Sequence, residues 1–222
     1  NKIYPLIATA FFVFLSIPLG VNGLWFDLAQ TPFVILAVYF GYKYQKDKIS
    51  SDLSNSLFAL LGAFLIKQQV AWLGIFLIVY FLFKLGKKFS KDIQEQKVFL
   101  IVLAVVGILH ILLFLMQRNI QDFFLWSIYF PFIKASTMPG YLLLPNFRQL
   151  LVLLSIVLLF IPVLQNKKSD KFLTLSAIAL FTFAYPRFDY FHLIPSLAVF
   201  ALSLPKNIEL LKGTNLFSKT LV

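Results

Sequence analysis

LSNSLFALLGAFLIKQQVAWLGIFLIVYFLF, Leu53–Phe83, is an apolar run of 31 residues whose middle is interrupted by Lys67, Gln68 and Gln69. As one helix at about 1.5 Å per residue it would be roughly 46 Å long, half again the roughly 30 Å of a bilayer's hydrocarbon. Read as two short helices meeting at KQQ, both halves have ordinary lengths. That reading also places Lys67, Gln68 and Gln69 at one end of the fold and the lysine runs flanking the stretch, Lys43–Lys48 and Lys84–Lys97, together at the other. The rest of the topology follows from this choice.

Working outward, Leu24–Tyr42 is expected as a second helix, after a first at Tyr4–Val21. Asp27 and Gln30 would lie at its mouth and Trp25 at an interface. Downstream, Val98–Met116, Leu150–Leu164, Phe172–Tyr185 and Leu193–Leu204 read as four more. Residues 118–147 differ in kind. Charges, aromatics and prolines alternate there, which predicts an interfacial segment with a short helix over Gln121–Ile133.

Composition sets the class. The chain of 222 residues is 60% hydrophobic and 13% charged with mean hydropathy +0.86, too little polar surface for a water-soluble fold of this size. Runs of spanning length rich in Leu, Ile and Phe, without strict alternation, point to helices and not to a barrel. The expected fold class is all-α: a polytopic transmembrane bundle of about eight spans over residues 1–205, with a short basic cytoplasmic tail at 206–222. The chain opens Asn-Lys without a signal-peptide pattern, and is expected to be the C-terminal part of a longer protein. Cysteine is absent, which removes disulfides and thiol chemistry from the options.

The net charge of +11 is read as topology and not as a nucleic-acid footprint. With eight spans, the runs at 43–48, 84–97, 167–171 and 206–219 share one face and hold three, five, three and three of the 20 basic residues. Lys67, Arg118, Lys134, Arg148 and Arg187 are left on the other. The lysine-rich face is expected to be cytoplasmic by the positive-inside tendency, which puts the C-terminus there as well.

The remaining polar residues then gather on the outer face. AYPRFDYFHLIPSL, Ala184–Leu197, sets Arg187, Asp189 and His192 between two apolar runs, where each would cost about 2.5–3.5 kcal/mol at mid-membrane. Either they form a surface hairpin with an Arg/Asp pair or they line a site. Together with Lys67, Gln68, Gln69, Lys134 and Arg148 they make a basic surface suited to an anionic group such as a lipid-linked phosphate. The same cations also read as anchors for phospholipid headgroups. His110, alone in an apolar run, is expected to be packed or bonded between helices.

The span ending in KQQ, the stretch FAYPRFDYFHLIPSL and the stretch SIYFPFIKASTMPGY resemble the C-terminal half of the GT-C membrane glycosyltransferases. The likeness is to the bacterial family-39-like group, related to protein O-mannosyltransferases and lipid A aminoarabinose transferases. The resemblance implies transfer of a sugar from a polyprenyl-phosphate carrier to a glycan, lipid or protein acceptor outside the bacterial inner membrane, by an inverting displacement. It implies donor-phosphate contacts for Lys67, Arg187 and His192, with Asp189 orienting Arg187 or the acceptor. The family's general base lies in an early outer loop that no stretch here matches, so the catalytic residue is unassigned. In such a mechanism fixed cations stabilise charge growing on the leaving phosphate, and His192 acts as a hydrogen-bond donor. Neither a metal nor another cofactor is expected, since HExxH, DxD and cysteine clusters are all missing. Three alternatives stay open: an outer-face polysaccharide polymerase or ligase, a transporter of lipid-linked substrates, and a structural subunit.

Overall fold

The computed structural model describes residues 26–117, 120–134, 137–138, 144–165, 171–181 and 190–212. The expected first span and the Arg187 and Asp189 positions lie outside these residues. The described residues are helical throughout their regular structure: α1 Phe26–Asp47, α2 Ser50–Ile66, a 3₁₀ turn Gln68–Val70, α3 Ala71–Leu85, α4 Lys87–Gln94 and α5 Lys97–Gln117. There follow α6 Ile120–Phe124, a π-helical stretch Leu125–Lys134, α7 Phe147–Gln165, α8 Phe172–Leu180 and α9 Tyr190–Lys212. The all-α class is thus borne out.

The break at KQQ is real. Lys67 leaves α2 with an extended backbone, φ −155° and ψ 122°, and the chain re-enters helix through the 3₁₀ turn. The two halves fold back on each other, since a methyl placed on Gly74 would meet Leu60 Cδ2 at 3.1 Å, each seven residues from Lys67. Gly74 is there because that crossing leaves little room for a side chain.

Helices α1 and α2 pack antiparallel in one register. The Lys43–Asp52 ion pair, the Ser56 hydroxyl donating to the Ala37 carbonyl at 2.7 Å, and the Phe33 ring lying over Gly62 are successive rungs. The buried positions recur at heptad spacing, Gln30, Val34, Ala37, Gly41 and Tyr44 on α1 and Asp52, Ser56, Ala59 and Ala63 on α2. Small residues along both stripes let the backbones approach closely enough for a side chain to reach a carbonyl across the interface.

Around this pair the core is aromatic. Phe172, at the start of α8, stacks on Phe81 of α3 with centroids 5.6 Å apart and a tilt of 17°. It also meets Tyr80 edge-on at 5.1 Å. α9 closes the core: every side chain from Leu193 to Leu204 except Leu202 is buried, and the Ser196 hydroxyl donates to the Ala177 carbonyl of α8 at 2.8 Å. α9 continues to Lys212, beyond the Leu204 at which the last apolar run ends.

Of the described helices, the run Gln68–Leu85 is long and apolar enough to cross a membrane, and 28% of it is buried. Lys87–Gln94 with Lys97–Leu113 meets the same criteria as a pair bent by 66°. Ser50–Ile66 and His192–Leu204 are shorter apolar helices. The expected helix at Gln121–Ile133 is present as α6 and the π-helical stretch that continues it.

Candidate functional site

Two polar regions sit at opposite ends of the α1–α3 core. The first is the turn at Lys67. Because α1 and α2 share a fixed register, Gln30, one turn before Phe33, lies at the same end as Ile66 and Lys67. Gln30 stands near the start of α1, where it was expected, and is fully buried there. Lys67 is half-buried and donates its backbone N–H to the Ala63 carbonyl at 3.0 Å, while its own carbonyl accepts from the Val70 N–H at 3.3 Å. Gln68 points to the surface. Gln69 is half-buried, and its side-chain oxygen is sealed from solvent without a hydrogen-bond donor. Since a buried acceptor left open costs about 1–3 kcal/mol, this is a place where a donor from elsewhere would be welcome.

The other expected site residues are distributed as follows. His192 is half-buried in the first turn of α9, one helical turn before Ser196. Lys134 ends the π-helical stretch with its side chain exposed, its carbonyl accepting from the Thr137 hydroxyl at 2.8 Å. Arg148 is exposed in the first turn of α7. That turn is fixed by a reciprocal cap: the Asn146 side-chain oxygen accepts from the Gln149 N–H at 3.0 Å, and the Gln149 side-chain oxygen accepts from the Asn146 N–H at 2.7 Å. α7 meets α9 through Phe160 and Phe200, edge-on at 4.8 Å. Lys67, Gln68 and Gln69 therefore share one turn, whereas Lys134 and Arg148 stand exposed at the ends of two other elements, of which α7 reaches the core through Phe160. Arg187 and Asp189 lie outside the described residues.

The second polar region, at the lysine-rich end, is one the sequence reading treated as a loop. The 84–97 run folds into α4, set off from α3 by Gly86 at φ +55°, a conformation natural to glycine. Asp92, 4% exposed, accepts from the Tyr44 hydroxyl at 2.7 Å and from the Lys88 ammonium at 2.9 Å. Gln96 donates to the Ser50 hydroxyl at 2.7 Å, tying the start of α2 to the end of α4, and Tyr80 donates to Gln45 at 3.3 Å. These bonds place the 43–52 and 84–97 segments at one end, as the two-helix reading of Leu53–Phe83 requires.

The electrostatics follow from burial and partners. Burial pushes the Tyr44 hydroxyl well above its ordinary range, helped by its hydrogen bond to Asp92 and by the charge there. For Asp92 burial opposes ionisation, yet the hydrogen bonds from Tyr44 and Lys88 and the charges of Lys88 and Lys91 outweigh it, so the carboxyl is held below its usual value. The hydrogen bond and charge of Asp52 raise Lys43. The signal missed in the sequence is Lys88 four residues before Asp92, an ion-pair spacing on a helix; the Tyr44 partner, 48 residues away, leaves no local trace.

His110 also departs from expectation. It is exposed on α5 and not packed, and its Nδ1 pairs with the Val106 carbonyl of the same helix at 2.8 Å. Among the described residues no three His, Asp or Glu side chains come together as a metal site would require. Comparison with family models, with curated proteins and with solved structures finds no match to this chain.

Proposed function

We propose that the chain is part of a polytopic glycosyltransferase of the GT-C type in a bacterial inner membrane, with its C-terminus cytoplasmic. It would move a sugar from a polyprenyl-phosphate carrier to an acceptor outside. The observation that carries the reading is the separation of the two polar ends. One end has its acids paired with lysines and a tyrosine, with Asp52 Oδ2 alone of these carboxylate oxygens left without a hydrogen bond. The other presents Lys67, Gln68 and Gln69 in a helix-breaking turn, with an acceptor on Gln69 left open. A return of α9 against α8 from the Ser196–Ala177 bond would bring His192 level with Phe181, toward that second end.

Membrane spanning is supported by exposure. The Gln68–Leu85 helix is 28% buried, where the core helix of a water-soluble protein would be mostly enclosed. Trp72, Ile75, Ile78, Leu82 and Phe83 all look outward from it. Such a belt has hydrocarbon as its natural solvent.

In the transfer step Lys67 serves as a point charge on the carrier phosphate and Arg187 as a planar fork pairing two of its oxygens, so that both stabilise the negative charge left as the sugar departs. The general base of the reaction is assigned to none of these residues. The test is transfer from a polyprenyl-phosphate sugar by the complete protein. Lys67→Ala and Arg187→Ala should each lower it by about 10- to 100-fold, the worth of one charge-assisted hydrogen bond, and unchanged transfer would overturn the assignment. Orientation is checked separately: a thiol reagent that cannot cross the membrane should label Gln68→Cys in intact cells, and Ser90→Cys only after permeabilisation.

A further inference from the structure

The lysine-rich end has a second use in its construction. α4 turns its apolar side inward: Phe89 is 4% exposed and meets Phe81 at 5.5 Å and Tyr44 at 6.4 Å, with Ile93 packed beside it. Its outer side carries Lys87, Lys88 and Lys91. The buried acids at this end are already matched, Asp92 by Lys88 and Asp52 by Lys43. Lys84, Lys87 and Lys97 are exposed and make no ion pair among the described residues.

Their position matters more than their number. Lys84 follows Leu82 and Phe83, which are 46% and 89% exposed at the end of α3. Lys97 precedes Val98 and Ile101, 69% and 63% exposed at the start of α5. The chain between them turns aside, α4 and α5 meeting at 66°. Three unmatched cations thus stand at the border where two outward-facing apolar helices end, with α4 laid across the border. A nucleic acid or an acidic protein would find the charge but not the apolar skirt. A phospholipid with a negative headgroup uses both, its chains against Phe83 and Val98 and its phosphate against the lysines.

We propose that α4, with Lys84, Lys87 and Lys97, is a docking surface for anionic phospholipid headgroups, selecting these over zwitterionic ones. The proposal rests on the membrane-spanning part of the reading above and not on the transferase assignment. The test offers the detergent-purified protein equal amounts of phosphatidylglycerol and phosphatidylcholine and counts retained lipid by native mass spectrometry. Phosphatidylglycerol should be favoured by about fivefold per lysine, about a hundredfold for the three together, and the Lys84→Gln/Lys87→Gln/Lys97→Gln variant should lose most of that preference. The corresponding triple Arg variant should keep it. High salt should collapse the wild-type preference, which gives a readout that needs no variant. Equal retention of the two lipids by the wild type, or an undiminished preference in the Gln variant, overturns the proposal while leaving membrane spanning intact. A chain that stays dispersed without detergent and retains neither lipid overturns both.

Discussion

Helices α5 and α9 are written in nearly the same alphabet, KVFLIVLAVVGILHILLFLMQ against YFHLIPSLAVFALSLPKNIELLK, yet they live in opposite surroundings. From Leu193 to Leu204, α9 hides all but one side chain. Along α5 only Phe99 is buried among the described side chains, held edge-on to Phe58 at 5.4 Å, while Ile101, Ile108 and Met116 are 63%, 56% and 81% exposed. The difference lies in the small and hydroxyl residues. α9 has Ser196, Ala198, Ala201 and Ser203, small enough to admit neighbouring helices, with Ser196 donating to the Ala177 carbonyl of α8 and Ser203 to the Phe200 carbonyl of its own helix, whereas α5 presents long aliphatic chains in nearly every direction. One helix is packed by protein; the other exposes nearly all of its described side chains, as the proposed membrane reading requires.

The sharpest way to break this contrast is a pair of truncations. Phe200→Ala on α9 removes a ring packed on Phe160 and should cost about 3–5 kcal/mol of stability, whereas Ile108→Ala on α5 should stay within about 0.5 kcal/mol, both read by denaturant titration of the reconstituted chain. Equal costs would mean that α5 is covered by protein. A charge inverts the ranking of environments: Ile108→Asp should raise the apparent cost of membrane insertion by about 2.5–3.5 kcal/mol, measured in a translocon insertion assay, and no cost would place α5 in water.

Smaller effects are expected where α5 is tethered. Tyr44→Phe takes one donor from the buried Asp92 carboxylate, which anchors α4 and so the base of α5, and should destabilise by about 1.5–3 kcal/mol. The same cluster sets a pH window. The lowered Asp92 contributes stability that is complete above the ordinary carboxyl value of 3.8 and is lost as pH falls through its folded value. The raised Tyr44 and Lys43 contribute stability complete below their ordinary values of 10.0 and 10.5, lost as pH rises through the folded ones. Thermal stability should therefore be level from about pH 5 to 9 and fall on both sides, with Tyr44→Phe and Lys43→Gln flattening the alkaline limb. A smaller change is expected from Ser196→Ala, about 0.5–1.5 kcal/mol for the loss of one hydrogen bond to the Ala177 carbonyl.

Sequence alone went far where local chemistry decides. The break at Lys67 follows from a length argument, and the expected Val98–Met116 and Leu150–Leu164 helices lie inside the observed Lys97–Gln117 and Phe147–Gln165. What it could not supply was partnership. Hydropathy assigns α5 and α9 alike, because burial in protein and exposure to lipid select the same side chains. The Tyr44–Asp92 bond was invisible because it joins residues 48 apart whose proximity depends on the α1–α2 register. That Gln30, near the mouth of α1, is fully buried likewise has no local trace. Of the expected site, the KQQ turn was legible because a polar triplet inside an apolar run must end a helix. Its relation to Lys134 and Arg148 depends on how the elements that carry them are arranged, which no local pattern records.

The hairpin at Lys67 has a further consequence in a bilayer. α2, at 17 residues, and the Gln68–Leu85 run, at 18, are at the short end of the roughly 17–25 residues that cross a bilayer. Lipids around the hairpin would have to compress by several ångströms, forming a local dimple with the KQQ corner at its floor. On the proposed transferase reading, a long-chain carrier diffusing in the leaflet would then find its headgroup lowered toward the protein before making any contact, and the mismatch would help to deliver it.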